Sequence, residues 1–168
     1  IPRLFTEGGI DGAINLVALS PELAAGYAKR NIPVVSLVSP ISGAFCLGVD
    51  NAEGMRLAVK HLAKLGHERI AYVGAVPTYS VGRDRLAGYK KGLEECGLPY
   101  KPELVETSLT MLHYASEAVE QLLARTRKFT ALVFYNDLIA MRAVPSFMQH
   151  GFAVPEDVSI VGFDDISV

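Results

Sequence analysis

The sequence predicts an α/β fold built on a parallel sheet, and three observations predict it. Short apolar runs of β type alternate with longer stretches at helical spacing, which is the arrangement of successive βα units. The helical stretches end on Gly66, Gly97 and Gly151, the residue type that takes the left-handed stop. Polar side chains collect just after the apolar runs, where a parallel sheet presents the carboxyl ends of its strands.

Taken in order, Gly12 opens a first strand-like run from Ala13 to Leu19. Ser20 before Pro21 is a helix start, because the hydroxyl caps a free amide and proline has no N–H to lose at the first helical position. That helix is predicted through Lys29, with Asn31 as its left-handed stop and Ile32 to Leu37 as the next strand. Val38 to Gly48 is poor in charge and rich in Ser, Pro and Gly, so it reads as a crossing segment between two lobes. A boundary is placed there, dividing residues 1–47 from residues 48–168.

Beyond the boundary, Asp50 with Glu53 resembles a capping box, and Met55, Ala58, Val59, Leu62 and Leu65 then share one helical face. Arg69 to Gly74 is predicted as a strand, Ala75 to Gly82 as its exit loop, and Leu86, Tyr89 and Leu93 mark the next helix. Glu103 to Ser108 reads as a strand, followed by a helix burying Ala115, Ala118, Val119, Leu122 and Leu123. Thr130 to Tyr135 is an apolar strand, after which Ile139, Ala140, Ala143, Val144 and Phe147 face inward from a helix. Pro145 lies inside that helix and is expected to kink or shorten it. Pro155 to Asp157 turns, and Val158 to Phe163 is predicted as a last buried strand.

Composition narrows function. Lys and Arg number 16 against 18 Asp and Glu, so no chain-wide basic field exists for holding phosphate backbones. No apolar run reaches the roughly 18 residues needed to span a bilayer. Cys46 and Cys96 lack metal-ligand spacing and are read as reduced core thiols of a cytoplasmic protein. His61, His67, His113 and His150 are too dispersed for a metal site, so neither metal nor cofactor is expected. Nucleophile elbow, phosphate-binding glycine loop and paired metal ligands are all missing, which argues against an enzyme.

Three strand exits carry the polar groups: Tyr79, Ser80, Arg83 and Arg85; Asn136 and Asp137; Asp164 and Asp165. Arginine supplies a rigid fork of donors, asparagine both donor and acceptor, and aspartate paired acceptors, a set suited to a small polar or polyhydroxylated ligand. Each has a structural reading too. Asn136 is placed to cap a helix, Asp164 and Asp165 to sit solvated at a strand end, and Arg83 and Arg85 to need partners at a helix start that disfavours cations. Tyr72, Phe134 and Tyr135 read as core or pocket wall.

Four stretches carry a family resemblance. They are Gly48-Val49-Asp50-Asn51 leading to Leu65-Gly66-His67 and Arg69-Ile70-Ala71; Arg83 to Tyr89; Asn136 to Ala140; and Val154 to Asp165. In order and spacing they resemble the effector-binding core of the lactose/galactose-repressor family of bacterial transcription regulators. The resemblance implies a three-layer αβα sandwich of the periplasmic-binding-protein-like type I class. Residues 1–47 would be a partial N-terminal subdomain and residues 48–168 a nearly complete C-terminal one, truncated at both ends. It implies effector contacts from Arg85, Asp164 and Asn136, with Leu109 against the ligand and Tyr79 at a further polar position. Val38-Ser39 departs from the Asp-Arg pair many members carry there, which removes an acidic ligand contact.

The family further implies a ligand-sensing role in a cytoplasmic homodimer. Operator DNA would be reached only through a helix-turn-helix segment absent from these residues, and no membrane is involved. The alternative is a periplasmic sugar-binding protein of a transport system, which shares the architecture.

Overall fold

Residues 9–16, 20–37, 44–108 and 115–167 are described by a computed structural model of the chain. They fall into two compact units, 1–50 and 51–168. In the first, β1 (Ala13–Asn15), α1 (Pro21–Lys29), β2 (Val34–Ser36) and β3 (Phe45–Cys46) form a parallel sheet in the order β1-β2-β3. Ser20 caps α1 as predicted, its Oγ accepting from the Leu23 amide at 3.3 Å, and Asn31 takes the left-handed stop at φ 53°.

Two expectations fail in this unit. A strand lies inside the predicted crossing segment, because β3 is two residues long and leaves no periodic pattern to read. Cys46, on that strand, is exposed, and Cys96 is half-buried at the end of a helix, so neither is a core thiol; both are free.

The second unit comprises α2 (Asn51–Lys64), β4 (Ile70–Ala75), α3 (Ser80–Glu95), a 3-10 turn at Pro102–Leu104, β5 (Val105–Ser108), α4 (Ala115–Arg125), β6 (Ala131–Phe134), α5 (Asp137–Gln149) and β7 (Ser159–Val161). All four strands are parallel, in the order β5-β4-β6-β7. Strand alternation then sorts side chains into two cores. Ile70, Tyr72, Ala131 and Val133 meet Met55, Val59 and Leu62 of α2 and Leu86, Tyr89 and Leu93 of α3. Ala71, Val73, Leu132 and Phe134 meet Val119 and Leu122 of α4 and Ile139, Ala143 and Phe147 of α5. A sheet covered on both faces makes three layers, and β4, buried along its whole length, is its spine.

Glycine sets the spacing of α2 and α3. A Cβ on Gly88 would stand 2.1 Å from the Ala52 carbonyl oxygen, and one on Gly92 would stand 2.7 Å from Val59 Cβ. Gly66, Gly97 and Gly151 occupy positive φ at 93°, 69° and 84°, closing α2, α3 and α5 as the sequence predicts.

Other details depart from expectation. Leu65 is exposed because α2 ends at Lys64 and the chain has already turned off the buried face. Pro145 does not shorten α5, which runs unbroken from Asp137 to Gln149 with the proline on its exposed side, where water can meet the unbonded carbonyl one turn back. Strand β7 is half-buried, since it lies at the sheet edge.

The packing of α2 on α3 is testable. Gly88→Ala is expected to lower the unfolding free energy by about 1 to 3 kcal/mol, as overpacking against backbone does, measured as a shifted midpoint in urea denaturation.

Candidate functional site

The order β5-β4-β6-β7 has one consequence for ligands. The chain leaves β4 toward one side of the sheet and returns through β6 on the other, so the carboxyl ends of β4 and β6 flank a topological switch point, the usual place for a crevice. Helix α3 starts beside that point. Arg85 lies one turn into it, and helical side chains tilt toward the helix N-terminus, so the guanidinium is directed back over the strand ends.

Arg85 is only 6 % exposed, and a buried cation requires partners. Its Nε donates to Asn51 Oδ1 at 2.8 Å, one terminal nitrogen donates to Asp164 Oδ1 at 3.1 Å, and the other donates to the Tyr135 carbonyl. Both faces of the guanidinium are covered, by the Tyr135 ring at 4.4 Å and the Phe163 ring at 3.8 Å. The stack depends on Gly54 of α2, where a Cβ would lie 2.6 Å from the Phe163 ring.

Asp164 is placed by the exit of β7. Asp137, the first residue of α5, donates its amide to the Phe163 carbonyl at 2.9 Å and accepts from the Ile166 amide through its carboxylate at 3.0 Å. Gly162 leaves room for that carboxylate, since a Cβ there would be 1.9 Å from Asp137 Oδ1. The turn carries Asp164 at φ 105° and Asp165 at φ 53°. An open cavity of about 420 Å³ is lined by Asp137, Gly162, Phe163, Asp164, Asp165 and Ile166. The Asp164 side chain is 40 % exposed, so it meets both Arg85 and solvent. Burial pushes the Tyr135 phenol above its ordinary range, with Arg85 opposing and Asp164 adding to the rise. Burial likewise pushes up the Tyr72 phenol beneath, again against Arg85.

The structure therefore joins Arg85 and Asp164, two of the residues singled out in the sequence, with Tyr135, read there as core or pocket wall, and adds Asn51 and Phe163 around them. Asn136, adjacent in the chain, caps α5, its Oδ1 accepting from the Ile139 amide at 3.0 Å. Tyr79 is 56 % exposed at the start of α3 and is not among the partners of Arg85. Arg83 is exposed and lies 3.5 Å from its neighbour Asp84. Leu109 lies outside the described residues. Among the described residues no group of three His, Cys, Asp or Glu is arranged to hold a metal. No helix of the described residues is long and apolar enough to cross a membrane.

The geometry separates the two roles of Asn136. Asn136→Ala is expected to cost about 1 kcal/mol, with Asn136→Ser restoring most of it, measured by thermal or chemical denaturation; equal losses in both variants would show that the side chain does something beyond capping.

Comparison with known proteins agrees with this architecture. The family described as periplasmic binding protein-like domain matches residues 59–168. The HTH-type transcriptional regulator GalR of Salmonella typhimurium (strain LT2) is 34 % identical over 151 residues, covering 88 % of this chain and 44 % of that protein. A sugar-binding transcriptional regulator of the LacI family from Escherichia coli, complexed with phosphate, superposes with a TM-score of 0.85 at 30 % identity, over 98 % of this chain and 61 % of that one. The transcriptional regulator CelR in complex with cellobiose gives a TM-score of 0.85 at 29 % identity, over 97 % and 52 %. The chain spans about half the length of the curated relatives it matches.

Proposed function

The chain belongs to the periplasmic binding protein-like family, as the effector-binding core of a regulator of the LacI/GalR type, and from that membership we propose that it senses a small polar molecule and passes the signal to DNA. The observation that carries the reading is the Arg85–Asp164 pair at the switch point of the parallel sheet. A forked donor held between two aromatic rings, paired with a carboxylate acceptor, suits a ligand whose hydroxyl or amide groups donate and accept side by side. Solved relatives described as sugar-binding and as a cellobiose complex point to the same ligand chemistry.

In this reading, residues 1–47 are part of an N-terminal subdomain and residues 48–168 the greater part of a C-terminal one. Arg85 and Asp164 contact the ligand, with Asn136, Tyr79 and Leu109 as secondary contacts. Ligand binding shifts a pre-existing equilibrium in a cytoplasmic homodimer. Such a coupling is worth about 1 to 3 kcal/mol and acts reciprocally between effector and operator. Contact with operator DNA belongs to a helix-turn-helix segment of the kind the GalR relatives are named for. The relatives are regulators, which favours this role over a transport receptor of the same architecture.

A thermal-shift screen of sugars, nucleosides and purines tests the reading. A true effector at 100 times its Kd stabilises the native state by about 2.7 kcal/mol. That stabilisation is expected to vanish in Arg85→Ala and in Asp164→Ala; its retention in both would refute the assignment of the site.

A further inference from the structure

Cations collect at the opposite end of the second sheet. The loops that lead into β4 and β6 lie side by side, since Ile70 pairs with Ala131 at the amino ends of those strands. The Thr130 amide donates to the Arg69 carbonyl at 3.1 Å, and Arg69 Nε donates to the Lys128 carbonyl. Both loops contribute to an open cavity of about 390 Å³, lined by Glu68, Arg69, Arg127, Lys128, Phe129 and Thr130. That volume is within the range of about 300 to 1,000 Å³ typical of small-ligand sites.

The three cations of this lining are not paired. Among the described residues, Arg69, Arg127 and Lys128 form no ion pair with any carboxylate, Glu68 included. Glu156 and Asp157, in the loop before β7, do not line the cavity, and Asp157 instead accepts from the Ala153 amide at 2.8 Å. The bond from Arg69 Nε to backbone holds its fork in place and leaves the terminal nitrogens as a free edge. Arg127 rests over the Phe152 ring at 5.6 Å. Helix ends do not account for the charges either. A carboxyl end carries about half a negative charge, and α2 already has His61 and Lys64 in its last turn, as α4 has Arg125. In a chain whose formal charge is -2, three cations against one carboxylate make this cavity a local positive site.

We propose that the cavity binds a phosphoryl group, as inorganic phosphate or as the monoester of a small molecule, at a site separate from the Arg85–Asp164 pair. An arginine fork donates in parallel to two oxygens of such a group, and a lysine adds a point charge. A doubly charged anion with three strong acceptor oxygens answers the surplus of cations, whereas a carboxylate brings one charge and two oxygens. The Thr130 hydroxyl, 2.8 Å from His67 Nδ1, borders the cavity as a further polar group. Arg85 bonds the Tyr135 carbonyl beyond the carboxyl end of β6, and this site lies at the amino ends of β4 and β6, so the proposal stands independently of the ligand-sensing reading.

Titration of the isotope-labelled chain with inorganic phosphate, followed through its amide resonances, tests the proposal. It is run at about pH 8, where a phosphoryl group is largely doubly charged, and at constant ionic strength, since screening alone moves amides near charges. Saturating shifts are expected at residues 66–69 and 127–130 and not at 162–166. Arg127→Gln and Lys128→Gln, which leave the bond between Arg69 and the Lys128 carbonyl in place, are each expected to weaken binding by about ten-fold, the size of one charge contact at partly screened distance. Methyl phosphate separates the sources: shifts matching those of inorganic phosphate support a monoester ligand, and their absence beside saturation by inorganic phosphate supports the free anion. Shifts that do not saturate, unchanged affinity in both variants, or saturating shifts at residues 162–166 instead overturn the proposal. Acetate that binds as tightly as phosphate also overturns it, since the site would then not distinguish a phosphoryl group from a carboxylate.

Discussion

A guanidinium shut away from water needs its charge answered on every side, and in this protein the groups that answer it come from three separate places in the chain. Arg85 draws together the first residue of α2, the exit of β6 and the exit of β7 while standing on α3 itself. Removing any one partner would leave a buried cation partly uncompensated, a cost that falls on the whole cluster and not on one contact. The two rings that flank it contribute area as well as cation–π attraction.

Much of this architecture follows from small residues. Gly54 admits the Phe163 ring, Gly162 admits the Asp137 carboxylate, and Gly88 and Gly92 let α2 approach α3 closely enough for Asn51 to reach Arg85. They fix distances, and the distances decide which polar atoms meet.

What the sequence shows and what it hides divide along the range of the interaction. Helix caps, glycine stops and the two-residue alternation of β4 and β6 are local, and they are legible: Ser20, Gly66, Gly97 and Gly151 act where the pattern places them. Strand β3 is missed because two residues cannot display a period, and Leu65 is misplaced because helical spacing continues on paper one step past the turn that ends the helix. Pro145 is tolerated because its missing amide falls on a face that water reaches, a fact of burial that a proline by itself does not reveal. At the site, Arg85 and Asp164 are found by looking at strand exits. Their union is not legible, because the two lie 79 residues apart and Asn51 a further 34 residues before Arg85. Asn136 shows the opposite problem: the sequence offers two roles and the structure fills the local one, the cap on α5.

The turn at Asp164 and Asp165 sets side-chain chemistry against backbone ease. Positive φ is energetically cheap for glycine and expensive for a residue with a Cβ, by about 1 kcal/mol or more per position. Glycine at either place would relieve the steric cost, while removing the carboxylate and adding freedom to the unfolded chain. Retaining aspartate at Asp164 keeps a carboxylate within reach of Arg85 at the expense of conformational ease. Backbone ease and the Arg85 contact thus pull on Asp164 in opposite directions, and glycine at that position would trade away the carboxylate paired with Arg85.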